Sequence, residues 1–247
     1  MSFLVDTHCH LDLFKDIQLN KQAENQLGIK TITVTNAPSF FKPNTQLFKE
    51  CTNIRVGLGL HPQLAHQYEA EIELFEHLVK DTRYIGEIGL DGSAELKSTY
   101  TSQRKLMEKI LAAVKKQDNK ILTVHSRNAA SETIDIIYRY LKGSSSKVIL
   151  HWYSGGISDL KDAVSKGFYF SINHKMVNTD KGKEIIKNIP MDRLLTETDA
   201  PFTFVGTVSN RIKSLTATIN GISLIAGKPG EQIQQTVFDN FKHLLDG

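Results

Sequence analysis

Ile121-Leu122-Thr123-Val124-His125-Ser126-Arg127 is a short β-rich apolar run that stops on polar residues, and Val148-Ile149-Leu150-His151-Trp152 repeats the pattern. Between them, Ile134, Ile137, Tyr138 and Leu141 recur at helical spacing. Two strands separated by an amphipathic helix make a parallel βαβ unit, because a parallel pair needs a crossover of a dozen or more residues. The same alternation extends in both directions. Upstream lie Phe3-Leu4-Val5, Thr31-Ile32-Thr33-Val34, Ile54-Arg55-Val56-Gly57-Leu58 and Tyr84-Ile85-Gly86-Glu87-Ile88. Downstream lie Phe168-Tyr169-Phe170-Ser171-Ile172 and Leu194-Leu195-Thr196. Leu106, Ile110, Ala113 and Val114 supply a further helical face, and Ile233, Val237, Phe241 and Leu244 a last one. Eight strands in 247 residues suit a closed (β/α)8 TIM barrel better than an open doubly wound sheet. No G-x-G-x-x-G follows the first strand, which disfavours a dinucleotide site. The expectation is an α/β chain forming one barrel over residues 1–247, with Gly143-Ser144-Ser145-Ser146 as a turn rather than a linker.

Composition narrows the class. The chain has a mass of 27.7 kDa, is 40% hydrophobic and 23% charged, and has a mean hydropathy of −0.25. These are ordinary globular values and exclude disordered, collagenous and coiled-coil classes. No apolar run approaches the roughly 20 residues that span a bilayer, so no membrane partner is expected. Met1-Ser2-Phe3-Leu4-Val5-Asp6 reaches an acid too soon for a secretory apolar region. Cys9 and Cys51 are too few for a disulfide scaffold, and a cytoplasmic location is expected. The net charge of +3 permits an anionic substrate without requiring one. The segment from His61 to Glu95 is acidic and that from Leu96 to Lys120 basic, which solvated helix faces explain as well as a nucleic-acid surface would.

The distinctive polar residues follow the apolar runs directly. Asp6-Thr7-His8-Cys9-His10 closes the first strand and His61-Pro62 follows the third. Glu87 lies on the fourth, which runs into Asp91; His125-Ser126-Arg127 ends the fifth, His151-Trp152 the sixth and Glu197-Thr198-Asp199 the eighth. Parallel strands of a barrel all end on the face where such enzymes keep their sites. His8 and His10, two apart on a strand, point to one side. A His-x-His pair alone could be stacked or hydrogen-bonded, but histidines and acids gathered from several strand ends call for a metal ion. Imidazole and carboxylate ligands suit Zn, Mn or Fe, and Mg where oxygen ligands dominate.

Taken together, these stretches resemble the TatD-family metal-dependent deoxyribonucleases, a branch of the amidohydrolase-type barrels. The resemblance is carried by Asp6-Thr7-His8-Cys9-His10-Leu11-Asp12, Gly59-Leu60-His61-Pro62, and Gly86-Glu87-Ile88-Gly89-Leu90-Asp91. It continues through Val124-His125-Ser126-Arg127, His151-Trp152-Tyr153-Ser154-Gly155 and Leu195-Thr196-Glu197-Thr198-Asp199-Ala200-Pro201. It implies two divalent ions (Mg, Mn or Zn). One would be held by His8, His10, Glu87 and Asp199, and the other by Glu87, His125 and His151, with Glu87 bridging. Two departures lie where substrate is expected. Gly92-Ser93 follow Asp91 where the family has aromatic residues, and Val205-Gly206-Thr207-Val208-Ser209-Asn210-Arg211 replaces an Arg/Asn-Glu-Pro segment. The Asp91-Gly92-Ser93 version is similar to the QatD-type branch, whose members accompany other proteins in bacterial antiviral defence clusters. That likeness implies partner proteins.

The expected activity is exonucleolytic hydrolysis of DNA phosphodiester bonds, at single-stranded or frayed ends, by a water activated between two metals. Asp199 is the expected general base and Glu87 the second catalytic carboxylate; pure ligation is the alternative for Asp199. Glu197 is expected to orient a ligand. His61 resembles the family residue that meets the substrate phosphate, and capping the helix after Pro62 is its plainer role. Arg127 could hold a phosphate through two hydrogen bonds or pair with a neighbouring acid. Asp91 could orient a ligand as Glu197 would, contact substrate, or close a turn. Trp152, with Tyr153, Phe202 and Phe204, could stack on bases or simply pack. Two other functions compete: an amide or lactone hydrolase acting on a small molecule, and a partner-gated subunit of a defence complex. Many such small-molecule hydrolases bridge their metals with a lysine after strand 4, where this chain has Glu87.

Overall fold

The computed structural model describes residues 2–246. Eight strands form in the order expected: β1 (Val5–Cys9), β2 (Lys30–Thr33), β3 (Ile54–Val56), β4 (Tyr84–Gly89), β5 (Ile121–His125), β6 (Lys147–His151), β7 (Tyr169–Ile172) and β8 (Leu194–Thr196). Helices fill the gaps: α1 (Ile17–Gln26), α2 (Phe41–Phe48), α3 (Ala65–Tyr68), α4 (Ile72–Leu78), α5 (Tyr100–Gln117), α6 (Ala130–Leu141), α7 (Ile157–Ser165), α8 (Asp180–Asn188), α9 (Arg211–Ala226) and α10 (Gly230–Leu245). All strand pairs are parallel, β1-β2-β3 in one ladder and β4 through β8 in another. Among the described residues no helix is long and apolar enough to cross a membrane.

Two seams close the ladders into a barrel. At the first, Leu58 bridges Ile85, its amide donating to Tyr84 O at 2.9 Å and its carbonyl accepting from Gly86 at 2.9 Å. Thr35 then pairs directly with β4, since its amide donates to Gly86 O at 3.0 Å and its carbonyl accepts from the Glu87 amide at 3.1 Å. That approach requires Gly59, where a Cβ would lie 1.8 Å from Thr35 O and 2.4 Å from the Glu87 amide nitrogen. At the second seam side chains take over from the ladder. Thr196 Oγ1 donates to Val5 O at 2.6 Å and Thr7 Oγ1 to Thr196 O at 3.2 Å. Main-chain bonds resume above them, from Asp199 N to His8 O and from His10 N to Ala200 O.

The helical faces named from spacing are buried where they meet the strands. Leu106, Ile110, Ala113 and Val114 of α5, Ile134, Ile137 and Leu141 of α6, and Ile233, Val237, Phe241 and Leu244 of α10 all belong to one core. Helix α9 was not anticipated. Its sequence, Arg211-Ile212-Lys213-Ser214-Leu215-Thr216-Ala217-Thr218, carries too many small hydroxyl residues to show an apolar period. Its ends were signalled nonetheless, since the Asn210 side chain caps Lys213 N at 2.9 Å and Pro229 follows its end.

Candidate metal centre

The strand ends do converge. Glu87, only 2% exposed, stands at the centre of the mouth with five imidazoles around it. Its Oε1 lies 2.9 Å from His125 Nδ1, 2.9 Å from His151 Nε2 and 3.1 Å from His61 Nε2. Its Oε2 lies 3.3 Å from both His8 Nε2 and His10 Nε2. Asp199 Oδ1 approaches the same pair, at 3.9 Å from His8 and 3.6 Å from His10. His8 and His10 share a side although the β1–β2 register shifts between Asp6 and Cys9. Cys9 turns away from both, into a small core with Leu11, Ile17 and Leu47.

The partners of the outer ring nitrogens decide which histidines offer a lone pair. His125 Nε2 lies 2.9 Å from Asp91 Oδ2, so it carries the proton and Nδ1 presents its lone pair to Glu87. His151 Nδ1 lies 3.7 Å from Glu197 Oε2, beyond hydrogen-bond range, and is buried with no hydrogen-bond partner among the described residues, while Nε2 faces Glu87. Three polar atoms crowd one point: Glu87 Oε1, His125 Nδ1 and His151 Nε2, the two nitrogens 3.4 Å apart. Only a proton or a cation reconciles them. His8 Nδ1 bonds Thr123 Oγ1 at 2.7 Å, and His8 Nε2 is buried with no hydrogen-bond partner despite its closeness to Glu87. A buried orphan nitrogen facing carboxylates fits a cation as its partner. His61 differs. Its Nδ1 accepts from Gln63 N at 3.1 Å, so Nε2 must hold the proton, and His61 is a donor toward Glu87 rather than a ligand.

Buried carboxylates stand behind the ligands. Asp91 is fully buried, accepts from Gln63 Nε2 at 2.7 Å and Ser93 N at 2.9 Å, and steers His125. Of the roles open to Asp91 from sequence, orienting a ligand and closing a turn fit its burial and its bonds to His125 and Ser93, and substrate contact does not. Glu197 accepts from Ser171 Oγ and from Asn173 Nδ2 and backs His151. The structure also reveals a pair that the sequence reading overlooked. Arg211, expected in a substrate-facing segment, is fully buried and donates to Asp6 Oδ2 at 2.9 Å, Glu24 Oε2 at 3.1 Å and Thr31 Oγ1. Asp6 in turn accepts from Thr198 N at 2.8 Å and Thr198 Oγ1 at 2.7 Å, which anchors the residue beside Asp199.

The mouth opens into a cleft of about 750 Å3. Arg127 and Trp152 line it with His61, Gln63 and Phe202. Arg127 is exposed and makes no ion pair among the described residues. Phe202 is 61% exposed and stands edge-on to His10, with ring centroids 5.1 Å apart. Tyr153 is not at the mouth; it is buried against Phe170, its hydroxyl donating to Gly156 O. Phe204 packs on Phe14.

A family model described as TatD related DNase matches residues 5–246. The chain belongs to the TatD family. Within that family it is 31% identical to an uncharacterized metal-dependent hydrolase of Buchnera aphidicola over 220 residues, 81% of each chain. It is 24% identical to the Homo sapiens protein named deoxyribonuclease TATDN3 over 216 residues, 80% of this chain and 78% of that one. The crystal structure of YjjV, a TatD homologue from Escherichia coli, superposes with a TM-score of 0.87 at 21% identity, covering 99% of this chain and 98% of that one. The chain is thus a TatD-type metal-dependent hydrolase on a TIM barrel, with a histidine and glutamate cluster suited to a metal ion.

The electrostatics of this TatD centre make its metal affinity pH-dependent. Burial would push the Glu87 carboxyl up, but His61, His151, His8 and His10 hold it well below the usual range. Burial drives His8 and, less strongly, His61 down, so both are neutral near pH 7. Against burial, carboxylate neighbours raise His10, His125 and His151, while burial pushes Asp199 up to about 7. Groups raised on folding bind protons better in the folded state. Their contribution to stability is full below the unfolded values and fades as pH rises through the folded ones. A cation competes with those protons and gains as they leave. The melting-temperature gain from a saturating divalent ion is therefore expected to be slight at about pH 5.5 and several degrees at about pH 8. Thermal unfolding at a series of pH values checks this, and a gain independent of pH would contradict it.

Proposed function

We propose that this chain, taken whole as one barrel, hydrolyses phosphodiester bonds in DNA, removing nucleotides from single-stranded or frayed ends. The observation that carries the reading is Arg127, an exposed guanidinium with no acidic partner among the described residues, on the same cleft as Glu87. A small neutral amide or lactone gives such a cation nothing to bind, whereas a phosphodiester does. Glu87 supports it, since a carboxylate stands where many amide and lactone hydrolases carry a lysine. The family's description as DNase and the name of the human relative point the same way.

The residues divide the work. His8, His10, Glu87 and Asp199 would hold one divalent ion, and Glu87, His125 and His151 a second, each of Mg, Mn or Zn type. When bound, the pair supplies an activated water and charge stabilisation for the attacking and leaving oxygens. Asp199 stands where it can take the water's proton. Arg127 binds the non-bridging oxygens of the phosphate, and His61, whose Nε2 proton faces Glu87 at 3.1 Å, lines the same cleft beside it. Asp91 keeps His125 in the tautomer this arrangement needs, Glu197 places its charge behind His151, and Trp152 walls the substrate channel. The Asp91-Gly92-Ser93 turn supports the loop bearing Arg127: Gly92 N donates to Arg127 O at 2.8 Å, and a Cβ at Gly92 would lie 2.4 Å from Asn128 O. A partner from a defence cluster would act by gating access, since every group named here comes from this chain.

Arg127→Ala is expected to raise KM for single-stranded DNA about tenfold, as loss of one charge-assisted phosphate contact does, without changing metal content. Steady-state kinetics beside metal analysis check this. Unchanged KM and kcat would remove Arg127 from the substrate, and brisk turnover of amides or lactones with all DNA left intact would replace the nuclease reading.

A further inference from the structure

The cleft at the metal centre shares one wall residue with a neighbouring hollow. Asn36, part of its wall, is also part of the wall of a second cavity of about 330 Å3. That volume falls within the range of about 300–1,000 Å3 that small ligands occupy. Leu13, Ile17, Phe40 and Leu47 make its apolar surface and Asp12 its acidic edge. Two features distinguish it from a packing gap. Asp12 Oδ1 and Asn36 Oδ1 are buried with no well-formed hydrogen bond among the described residues, while Asp12 Oδ2 accepts from Asn44 Nδ2 at 3.3 Å and the Asp12 and Leu13 amides lie near the carboxylate. Buried polar groups are nearly always paired, so two bare oxygens around one cavity mark where a ligand's donors go. In addition, Leu13 and Phe40 are 46% and 38% exposed, a flat apolar surface beside those oxygens.

Resting on the DNase reading, we propose that this second cavity is a nucleobase subsite. It takes a base bearing an exocyclic amino group from a nucleotide flanking the cleaved phosphate. Asp12 and Asn36 meet the amino edge, and Phe40 and Leu13 cover the ring. Three arguments select that occupant. Asn36 joins the cavity to the cleft in which the phosphate lies, so the ligand is part of the same strand. Aromatic and apolar surface stacks on any base, which gives affinity. Acceptors left bare by a base without an amino group penalise thymine, which gives selectivity.

The test uses single-stranded oligonucleotides of one sequence with A, C, G, T or an abasic residue at each position flanking the first cleaved bond. Parent, Asn36→Ala and Phe40→Ala proteins are compared by kcat/KM, with the base-free ester bis(p-nitrophenyl) phosphate reporting the chemistry separately. Asn36 Oδ1 has no hydrogen-bond partner among the described residues, and the melting temperature of each variant reports whether its fold is intact. At one position the parent is expected to favour amino-bearing bases about tenfold or more over thymine and the abasic residue. Both variants are expected to shrink that ratio below about threefold. Equal cleavage of all five substrates by the parent, or a preference that both variants keep, overturns the subsite and leaves the DNase reading standing. Failure to cut any oligonucleotide while the base-free ester is hydrolysed overturns the two together.

Discussion

Glu87→Ala is expected to lose both metal ions and to lower DNA hydrolysis about 10³-fold or more. Each oxygen of this carboxylate serves a different half of the centre, Oε1 facing His125 and His151 and Oε2 facing His8 and His10. No neighbouring acid can replace it. Asp91 is committed to His125 Nε2 and Glu197 to Ser171 and Asn173, while Asp199 reaches only the His8 and His10 side. His125→Ala, by contrast, removes a ligand from one half and is expected to weaken mainly one ion. A purely structural role for Glu87 predicts something else. As the anion of a buried cluster its loss would cost about 3–5 kcal/mol of stability without stripping metal selectively. Metal stoichiometry and melting temperature, measured together on both variants, separate the two. Glu87→Ala protein that keeps two tightly bound ions and near-normal cleavage would refute the two-metal assignment.

The largest stability effect is expected from Arg211→Ala. Arg211 and Asp6 are both fully buried, and the guanidinium is the only cation bonded to Asp6 among the described residues. Removing it leaves a carboxylate in a dry interior with only Thr198 N and Thr198 Oγ1 as donors. Breaking a buried pair from one side costs about 3–5 kcal/mol. At this chain length that corresponds to a fall in melting temperature of about 10 °C or more. Adding Asp6→Asn to Arg211→Ala is expected to recover part of the loss, because the stranded charge disappears. Thr198 adjoins Asp199, so kcat should fall as well in the single variant. An Arg211→Ala protein within about 1 kcal/mol of the parent would show that the pair does not anchor β8 to β1.

Much of the site could be read from the sequence because each ligand candidate directly follows an apolar run. His8, His10, Glu87, His125, His151 and Asp199 needed only parallel strands to be brought together, and the run pattern gave those. The residues behind them were less visible for a physical reason. Asp91 meets His125 across 34 residues and Arg211 meets Asp6 across 205, and neither sequence segment advertises its partner. His61 was legible in part: it caps the turn after Pro62, as its plainer role had it, by accepting from Gln63 N, and only that bond makes its Nε2 a donor. Trp152 and Asp199 also hold positive φ values of 38° and 47°, a backbone state rare for such residues that occurs where structure around a site enforces it. No spacing rule anticipates that. Helix α9 was missed because α10 and the barrel, rather than its own weak pattern, bury its Leu215, Ile219 and Ile222.

End-labelled single-stranded DNA tests the central claim most directly. The protein is stripped with chelator, and Mg, Mn or Zn is returned in a titration while the released products are resolved by length. Labelled mononucleotide is expected to appear only when a divalent ion is present and to stop again with excess chelator. Intact DNA at every metal concentration, or cleavage that excess chelator leaves unchanged, would contradict the account.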